Sequence, residues 1–82
     1  MFPPKVKAVV PTDDFCLIVT FNNGIIKQYD VFKRLHEPRF SLLRNKSVFK
    51  DVKIESGGYG LYWDSKADIS EHELWNESVE IN

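Results

Sequence analysis

The sequence predicts an α+β fold, with one antiparallel sheet of about five strands, short helices on one face of it and a helix at the C-terminus. Three observations lead to this class. Apolar and polar residues alternate in several short runs, as they do in strands. The turn residues Asn22–Gly24 join two runs so closely that the strands must be antiparallel. A Ser-x-x-Glu sequence near the C-terminus marks the start of a helix.

The chain length allows a single domain over residues 1–82. Domains commonly contain about 50 to 250 residues, and this chain of 82 residues contains no internal repeat and no long linker. Its composition is 43% hydrophobic and 13% aromatic, which is typical of folded chains and not of disordered ones. We therefore expect one small domain with one core.

The N-terminal part predicts three strands. The first, Lys5–Val10, has Val6 and Ala8 on one face. The second, Phe15–Phe21, is apolar on both faces, which predicts a central strand covered on both sides. The third, Ile25–Tyr29, returns after a loop of either two or three residues, and the two loop lengths would pair different residues across the hairpin.

The middle of the chain predicts short helical pieces. Asp30 can cap a helix over Val31–Leu35, whose two terminal apolar residues lie four positions apart. Pro38 suits the first position of a second helical piece. A single turn is expected at Ser47–Phe49. These pieces supply apolar side chains to one face of the sheet.

Two further strands follow, at Val52–Ile54 and Tyr59–Trp63. Alternation in the second of them places Tyr59 and Trp63 on one face and Tyr62 on the other. Because large aromatic side chains dominate small cores, we expect Trp63 to be buried.

The best helix signal in the chain follows these strands. The Ser70 side chain can accept a hydrogen bond from the amide of Glu73, and the Glu73 carboxylate can accept one from the amide of Ser70. Ile69 and Leu74, on either side of the first turn, can form a hydrophobic staple. The helix is expected to run to about Glu77, with a frayed tail after it.

Charge is unevenly distributed along the chain. Residues 27–53 contain eight basic and three acidic side chains, whereas residues 54–82 contain seven acidic and one basic. Such asymmetry points to a charged partner. The alternative is that the acidic segment packs on the basic segment within one fold.

Catalytic and metal-binding patterns are absent from the sequence. Cys16 lies in an apolar strand without the electropositive surroundings that a reactive thiol needs. His36 and His72 are isolated, whereas a metal site needs three or four convergent ligands. The glycine-rich stretch 56–60 lacks the lysine of a phosphate-binding loop. We therefore expect no enzyme activity, no catalytic residue and no metal or other cofactor.

Composition also argues against membranes and nucleic acids as partners. The chain contains no run of about 18 to 20 apolar residues, and its first residues lack the apolar region of a signal peptide, so we expect neither a membrane span nor a signal peptide. Its single cysteine is typical of a reducing compartment, so a cytoplasmic location is expected. A pI of about 6.1 is well below that of domains that bind nucleic acid by their charge.

Five short motifs occur in order along the chain: F-N-N-G at Phe21–Gly24, Y-D-V at Tyr29–Val31, V-F-K-D-V at Val48–Val52, G-G-Y-G-L-Y-W at Gly57–Trp63 and A-D-I-S-E-H-E-L-W at Ala67–Trp75. Their order and spacing resemble those of a family of small bacterial proteins catalogued as domain of unknown function 2442. The resemblance extends from about Pro4 to Trp75 and implies an α+β domain without known catalytic residues. It also implies a role as candidate antitoxin of a toxin–antitoxin pair, as described for some members. A helix-turn-helix found in other members has no counterpart before Asn82.

These observations favour a non-enzymatic protein-interaction module, the antitoxin-like member of a two-protein bacterial operon. Its partner would be a basic protein encoded nearby, such as a toxin that holds RNA. With Leu74 in the core, Glu71, Trp75 and Glu77 are expected nearer solvent on the last helix, and together with Tyr62 they are the candidate contacts. The opposing interpretation is that Trp75 closes the core and the acidic residues form a solvated face.

Two further hypotheses stay open. In one, the chain is the ligand-sensing domain of a transcription regulator without its DNA-binding half. In the other, it forms a homodimer through the first strand, where Val6, Ala8 and Val10 would lie at an uncovered sheet edge. Lys5 and Lys7 oppose such a contact, because charges protect sheet edges from pairing.

Overall fold

Short strands divide between two antiparallel sheets in the computed structural model, which describes residues 2–64 and 66–81. The larger sheet has the order β1-β2-β3-β7 and the smaller sheet the order β4-β5-β6. The α+β class is confirmed, although the strands lie in two sheets and not in a single sheet of about five. The strands are β1 Val6–Pro11, β2 Cys16–Phe21, β3 Ile26–Asp30, β4 Lys53–Ile54, β5 Gly60–Tyr62, β6 Asp68–Ser70 and β7 Val79–Glu80.

The helices are short and lie between and after the strands. Three are 3-10 helices, at Phe32–Arg34, Pro38–Arg44 and Ser56–Gly58, in the described part of the chain. The α-helices described are α1, Lys46–Phe49, and α2, Glu71–Glu77. Helix α2 begins as predicted, because the Ser70 hydroxyl accepts from the amide of Glu73 at 3.2 Å. No helix in the described residues is long and apolar enough to cross a membrane.

The hairpin between β2 and β3 has a three-residue loop, which settles the register that the sequence left open. The amide of Phe21 donates to the carbonyl of Ile25 at 2.9 Å, and the amide of Gly24 donates to the carbonyl of Phe21 at 3.0 Å. Gly24 has φ +88°, a left-handed conformation that glycine adopts without steric cost. As a result, Thr20 lies opposite Ile26.

The core lies on the inner face of the larger sheet, where β2 contributes three fully buried side chains. Ile69 and Leu74, the residues of the predicted hydrophobic staple, are both buried in the same core cluster. Trp63 is also buried, as predicted. The fully buried set with the largest volumes is Trp63, Tyr29, Phe21, Phe40, Phe49, Leu17, Leu43, Leu61, Ile69, Leu74, Val19 and Val31.

Two predicted strand faces differ from those observed. In β1 the register shifts between Val6 and Ala8, so Val6 is buried while Ala8 is exposed. The extra residue of a β-bulge reverses the direction of the side chains that follow it. Tyr59 lies just before β5 and is 58% exposed, so it does not share the buried face of Trp63. The strand begins only at Gly60, whose φ of +147° interrupts the alternation.

Candidate functional site

Glu71, expected near solvent, is buried, with an exposed fraction of 6%. Its carboxylate accepts from the ammonium of Lys5 at 3.0 Å, and its amide donates to the carbonyl of Tyr59 at 3.1 Å. The lysine comes from a part of the chain 66 residues away, so helix periodicity alone could not reveal this pair. The expectation of an exposed Glu71 is therefore wrong, because the first turn of α2 packs on the start of the chain.

Trp75 is half-buried and packs against the core. Its ring meets that of Phe21 edge-on, with the ring centroids 5.0 Å apart. The ammonium of Lys27 lies 3.8 Å from the centroid of the Trp75 ring and donates to the Trp75 carbonyl at 2.7 Å. Of the two interpretations of Trp75, the contacts favour the one in which its ring closes the core, with a lysine over it.

Glu77 and Tyr62 lie on different surfaces. Glu77 is exposed on α2, beside the first 3-10 helix, Phe32–Arg34. Tyr62 is half-buried on β5, opposite Asp68, with the ammonium of Lys53 6.0 Å from its ring centroid. The four predicted contact residues therefore do not form one continuous site.

A polar groove of about 730 Å³ separates the first 3-10 helix from α2. It is open to solvent along its length, and Glu77 is the predicted contact residue that lies in it. We call it the α2 groove. Its lining consists of Tyr29, Lys33, Arg34, Glu37, Ser70, His72, Glu73, Asn76 and Glu77.

Arg34 organises the floor of the α2 groove. Its Nε and Nη2 donate to the two carboxylate oxygens of Glu37 at 3.0 and 3.1 Å. Its Nη1 donates to the Tyr29 hydroxyl at 2.6 Å and to the carboxylate of Glu73, which also accepts from that hydroxyl. Glu73 therefore binds Tyr29 and Arg34, and not the amide of Ser70 as the capping pattern predicted. Only the spacing of Arg34 and Glu37, three apart, was a local signal of this network.

The groups on the groove floor have shifted pKa values with clear physical causes. The hydrogen bond from Arg34 lowers the pKa of Glu37 below its ordinary value of 4.5. Burial raises the pKa of the Tyr29 phenol above 10.0, and the nearby charge of Arg34 offsets part of that rise. At neutral pH the floor therefore holds an ionised Glu37 beside a neutral Tyr29.

The acidic segment packs on the basic segment within the fold. Ion pairs join residues 27–53 to residues 54–82 at three places: Arg34 with Glu73, Arg39 with Asp68 at 3.9 Å, and Lys53 with Asp64 at 3.2 Å. Of the two explanations for the charge asymmetry, the intramolecular one is therefore observed. Glu77 has no ion-pair partner within the described residues.

Cys16 is buried at the start of β2, with an exposed fraction of 7%. Burial raises the pKa of its thiol above 9.0, which keeps the sulfur protonated and poorly nucleophilic at neutral pH. Within residues 2–64 and 66–81, no group of three or more His, Cys, Asp or Glu side chains is placed to hold a metal ion.

Comparison with known proteins agrees with the motif order noted in the sequence. No curated protein and no solved structure matches the chain. A family model described as "Protein of unknown function (DUF2442)" matches residues 6–80, which include every strand of both sheets and α2. The chain therefore belongs to the DUF2442 family.

Proposed function

We propose that the protein is a non-enzymatic protein-interaction module that binds a basic segment of a partner protein in the α2 groove. In the finer form of this proposal it is the antitoxin-like member of a bacterial pair. The partner is then a basic, RNA-binding toxin whose phosphate-holding surface the groove masks.

The fixed carboxylates on the groove floor carry the proposal. Arg34 holds Glu37 through two parallel hydrogen bonds and holds Glu73 through a third contact. Charge-assisted bonds of this kind fix geometry as well as adding stability. The carboxylates are therefore ordered before a partner arrives, and an ordered site loses less entropy on binding.

The charge of the groove favours a basic partner. Its lining contains three acidic side chains, including Glu77, and two basic ones, Lys33 and Arg34. The guanidinium of Arg34 is already directed to groups of this chain, so Glu77 and the remaining carboxylate lone pairs are left for donors from outside. Lysine and arginine side chains supply such donors.

Two observations support binding over catalysis or small-molecule sensing. The thiol of Cys16 is buried with a raised pKa, and the groove carboxylates are engaged in structural hydrogen bonds. The α2 groove is also open and polar, whereas small-molecule pockets are typically enclosed and mostly apolar.

The test is a charge reversal in the groove, measured against the protein encoded by the adjacent gene. Both proteins are purified after co-expression, and their affinity is measured by calorimetry at two salt concentrations. We expect Glu77→Lys to weaken the complex by about tenfold or more, and we expect added salt to weaken the wild-type complex.

Glu80→Lys is the matched control, because it makes the same charge change at an exposed strand residue that does not line the groove. We expect this variant to bind nearly as well as the wild type. Equal affinities for the wild type and Glu77→Lys, with both variants folded by circular dichroism, would refute the proposal.

A further inference from the structure

The outer face of the larger sheet is uncharged in the two rows that follow its Cys16–Asp30 end. Opposite the buried side chains of β2 lie two rows of side chains that point away from the core, and they follow from the strand register. The first row contains Ala8, Thr20 and Ile26, and the second contains Val10, Ile18, Gln28 and Val79. We call these seven residues the outer face.

Apolar side chains on this face are open to solvent. Val10 is 60% exposed, Val79 69% and Ile26 38%. The buried core, to which the helices and the smaller sheet contribute, lies on the opposite side of β2. Strand β2 is apolar on both faces, and the rest of the chain covers only the inner one. The outer face is therefore an exposed apolar patch of the kind found at protein-binding sites.

We propose that a second copy of this chain covers the outer face, so that two sheets pack face to face about a two-fold axis. The two uncharged rows of an identical copy can pack on those of this face without burying an unpaired charge, and a two-fold axis brings the same surface from both copies together. A charged partner would instead bury its own charges against side chains that cannot pair with them.

The charges at the ends of the face determine how the copies are oriented. Asp14 and Asp30 are exposed at the end where Cys16 lies, and Lys7 is exposed at the opposite end, beside Val6. A two-fold axis that runs across the strands, in the plane of the interface, places the Lys7 end of each copy over the acidic end of the other. An axis along the strands would instead place acid against acid.

The size of the face determines the strength of this dimer. Four strands about 4.8 Å apart and two rows about 6.8 Å apart give a face of about 19 by 14 Å before its rim is counted. Standard stable interfaces bury about 800 Å² on each partner. The face covers only about a third of that area, so we expect a weak, reversible dimer with a dissociation constant in the high micromolar range, and not an obligate one.

Sedimentation velocity between about 5 and 500 μM tests the proposal, since this range spans a micromolar dissociation constant. The wild type should shift from a 9.6 kDa species to one of twice that mass. Ile26→Lys should raise the dissociation constant at least about 100-fold, because it buries two like charges in the interface. Ile26 lies on β3, an inner strand, so this variant separates a face contact from edge pairing through β1.

Leu42→Lys is the matched control, since Leu42 is 61% exposed on the Pro38–Arg44 helix and lies off the sheet. This variant should dimerise like the wild type. Lys7→Glu should weaken the dimer about threefold, the effect expected for a surface ion pair. Should Ile26→Lys fail to fold, Val79→Lys replaces it, because Val79 is more exposed.

Three results would overturn the proposal. The first is a wild type that stays at 9.6 kDa at the highest concentration, which would leave the face to a different partner. The second is a dimer that a folded Ile26→Lys or Val79→Lys variant does not weaken. The third, an unchanged dissociation constant in Lys7→Glu, would exclude the orientation. Glu77→Lys should leave the dimer intact, so failure here and failure of the groove proposal are independent.

Discussion

Replacing Trp63 with alanine should remove much of the stability of this domain. The side chain is 2% exposed, and its ring stacks on Phe49 with the ring centroids 6.2 Å apart. The indole Nε1 also donates to the carbonyl of Phe49 at 2.8 Å. The substitution therefore creates a cavity and leaves a buried carbonyl without its donor.

The magnitude follows from these two effects. Truncating a buried large aromatic side chain to alanine costs about 3–5 kcal/mol. An unsatisfied buried carbonyl costs about 1–3 kcal/mol, so the two effects together give a loss of about 4–8 kcal/mol. At about 0.05–0.15 kcal/mol per residue, a chain of 82 residues has a free energy of unfolding of about 4–12 kcal/mol. The loss is comparable to the lower half of that range.

Urea denaturation followed by far-ultraviolet circular dichroism measures this loss. Trp63→Phe keeps most of the ring volume but removes the donor to Phe49, so it should lose about 1–3 kcal/mol. Tyr59→Ala is the control, because Tyr59 is 58% exposed and should lose less than about 1 kcal/mol. A Trp63→Ala variant within about 1 kcal/mol of the wild type would refute the reasoning.

Changes at four other positions test particular features of the fold by urea or pH titration. Lys5→Met should cost about 2–3 kcal/mol because it leaves the buried carboxylate of Glu71 unpaired, and adding Glu71→Leu should recover most of that loss. Gly60→Ala should cost more than about 2 kcal/mol, since its Cβ would lie 2.4 Å from a carbonyl oxygen of β6. Gly24→Ala has nothing within 4 Å and should cost only the strain of its left-handed φ, about 1 kcal/mol. Burial raises the pKa of Tyr29 above 10.0, so above that pH the folded state keeps a proton that the unfolded chain loses. The free energy of unfolding should therefore fall as pH rises above 10. It should fall less steeply in Tyr29→Phe, which has no phenol to titrate.

The parts of the fold that the sequence predicted are those determined by local signals. Alternation located β2, the turn residues located the hairpin, and Ser70 located the start of α2. The strands β6 and β7 have three and two residues and carry no pattern of their own. Strand β6 pairs with β5 and strand β7 pairs with β3, and this pairing satisfies their backbone hydrogen-bonding groups. Such pairing exists only once the chain has folded.

The candidate site was harder to predict because its contacts join distant parts of the chain. Helix geometry showed that Leu74 is buried, but a second buried position at Glu71 depends on Lys5. The floor of the α2 groove likewise depends on Arg34 reaching Glu73, 39 residues further along. Sequence spacing gives the direction of a side chain on its own helix, but not which other segment packs over it.

The uneven charge along the chain reflects ion pairs within the fold more than it indicates a charged partner. Much of the acidic segment binds bases of the same chain, through the pairs of Glu73, Asp68 and Asp64. Long-range attraction of a basic partner by the whole segment is therefore weaker than its formal charge indicates, because a paired carboxylate produces a smaller field at a distance. Among the exposed acids of this segment, Glu77 is the one that lies in the α2 groove without an ion pair in the described residues, and the uncharged rows of the larger sheet form a separate surface. A single-residue change can test each surface without disturbing the other, since Ile26 and Glu77 belong to different elements and share no ion pair.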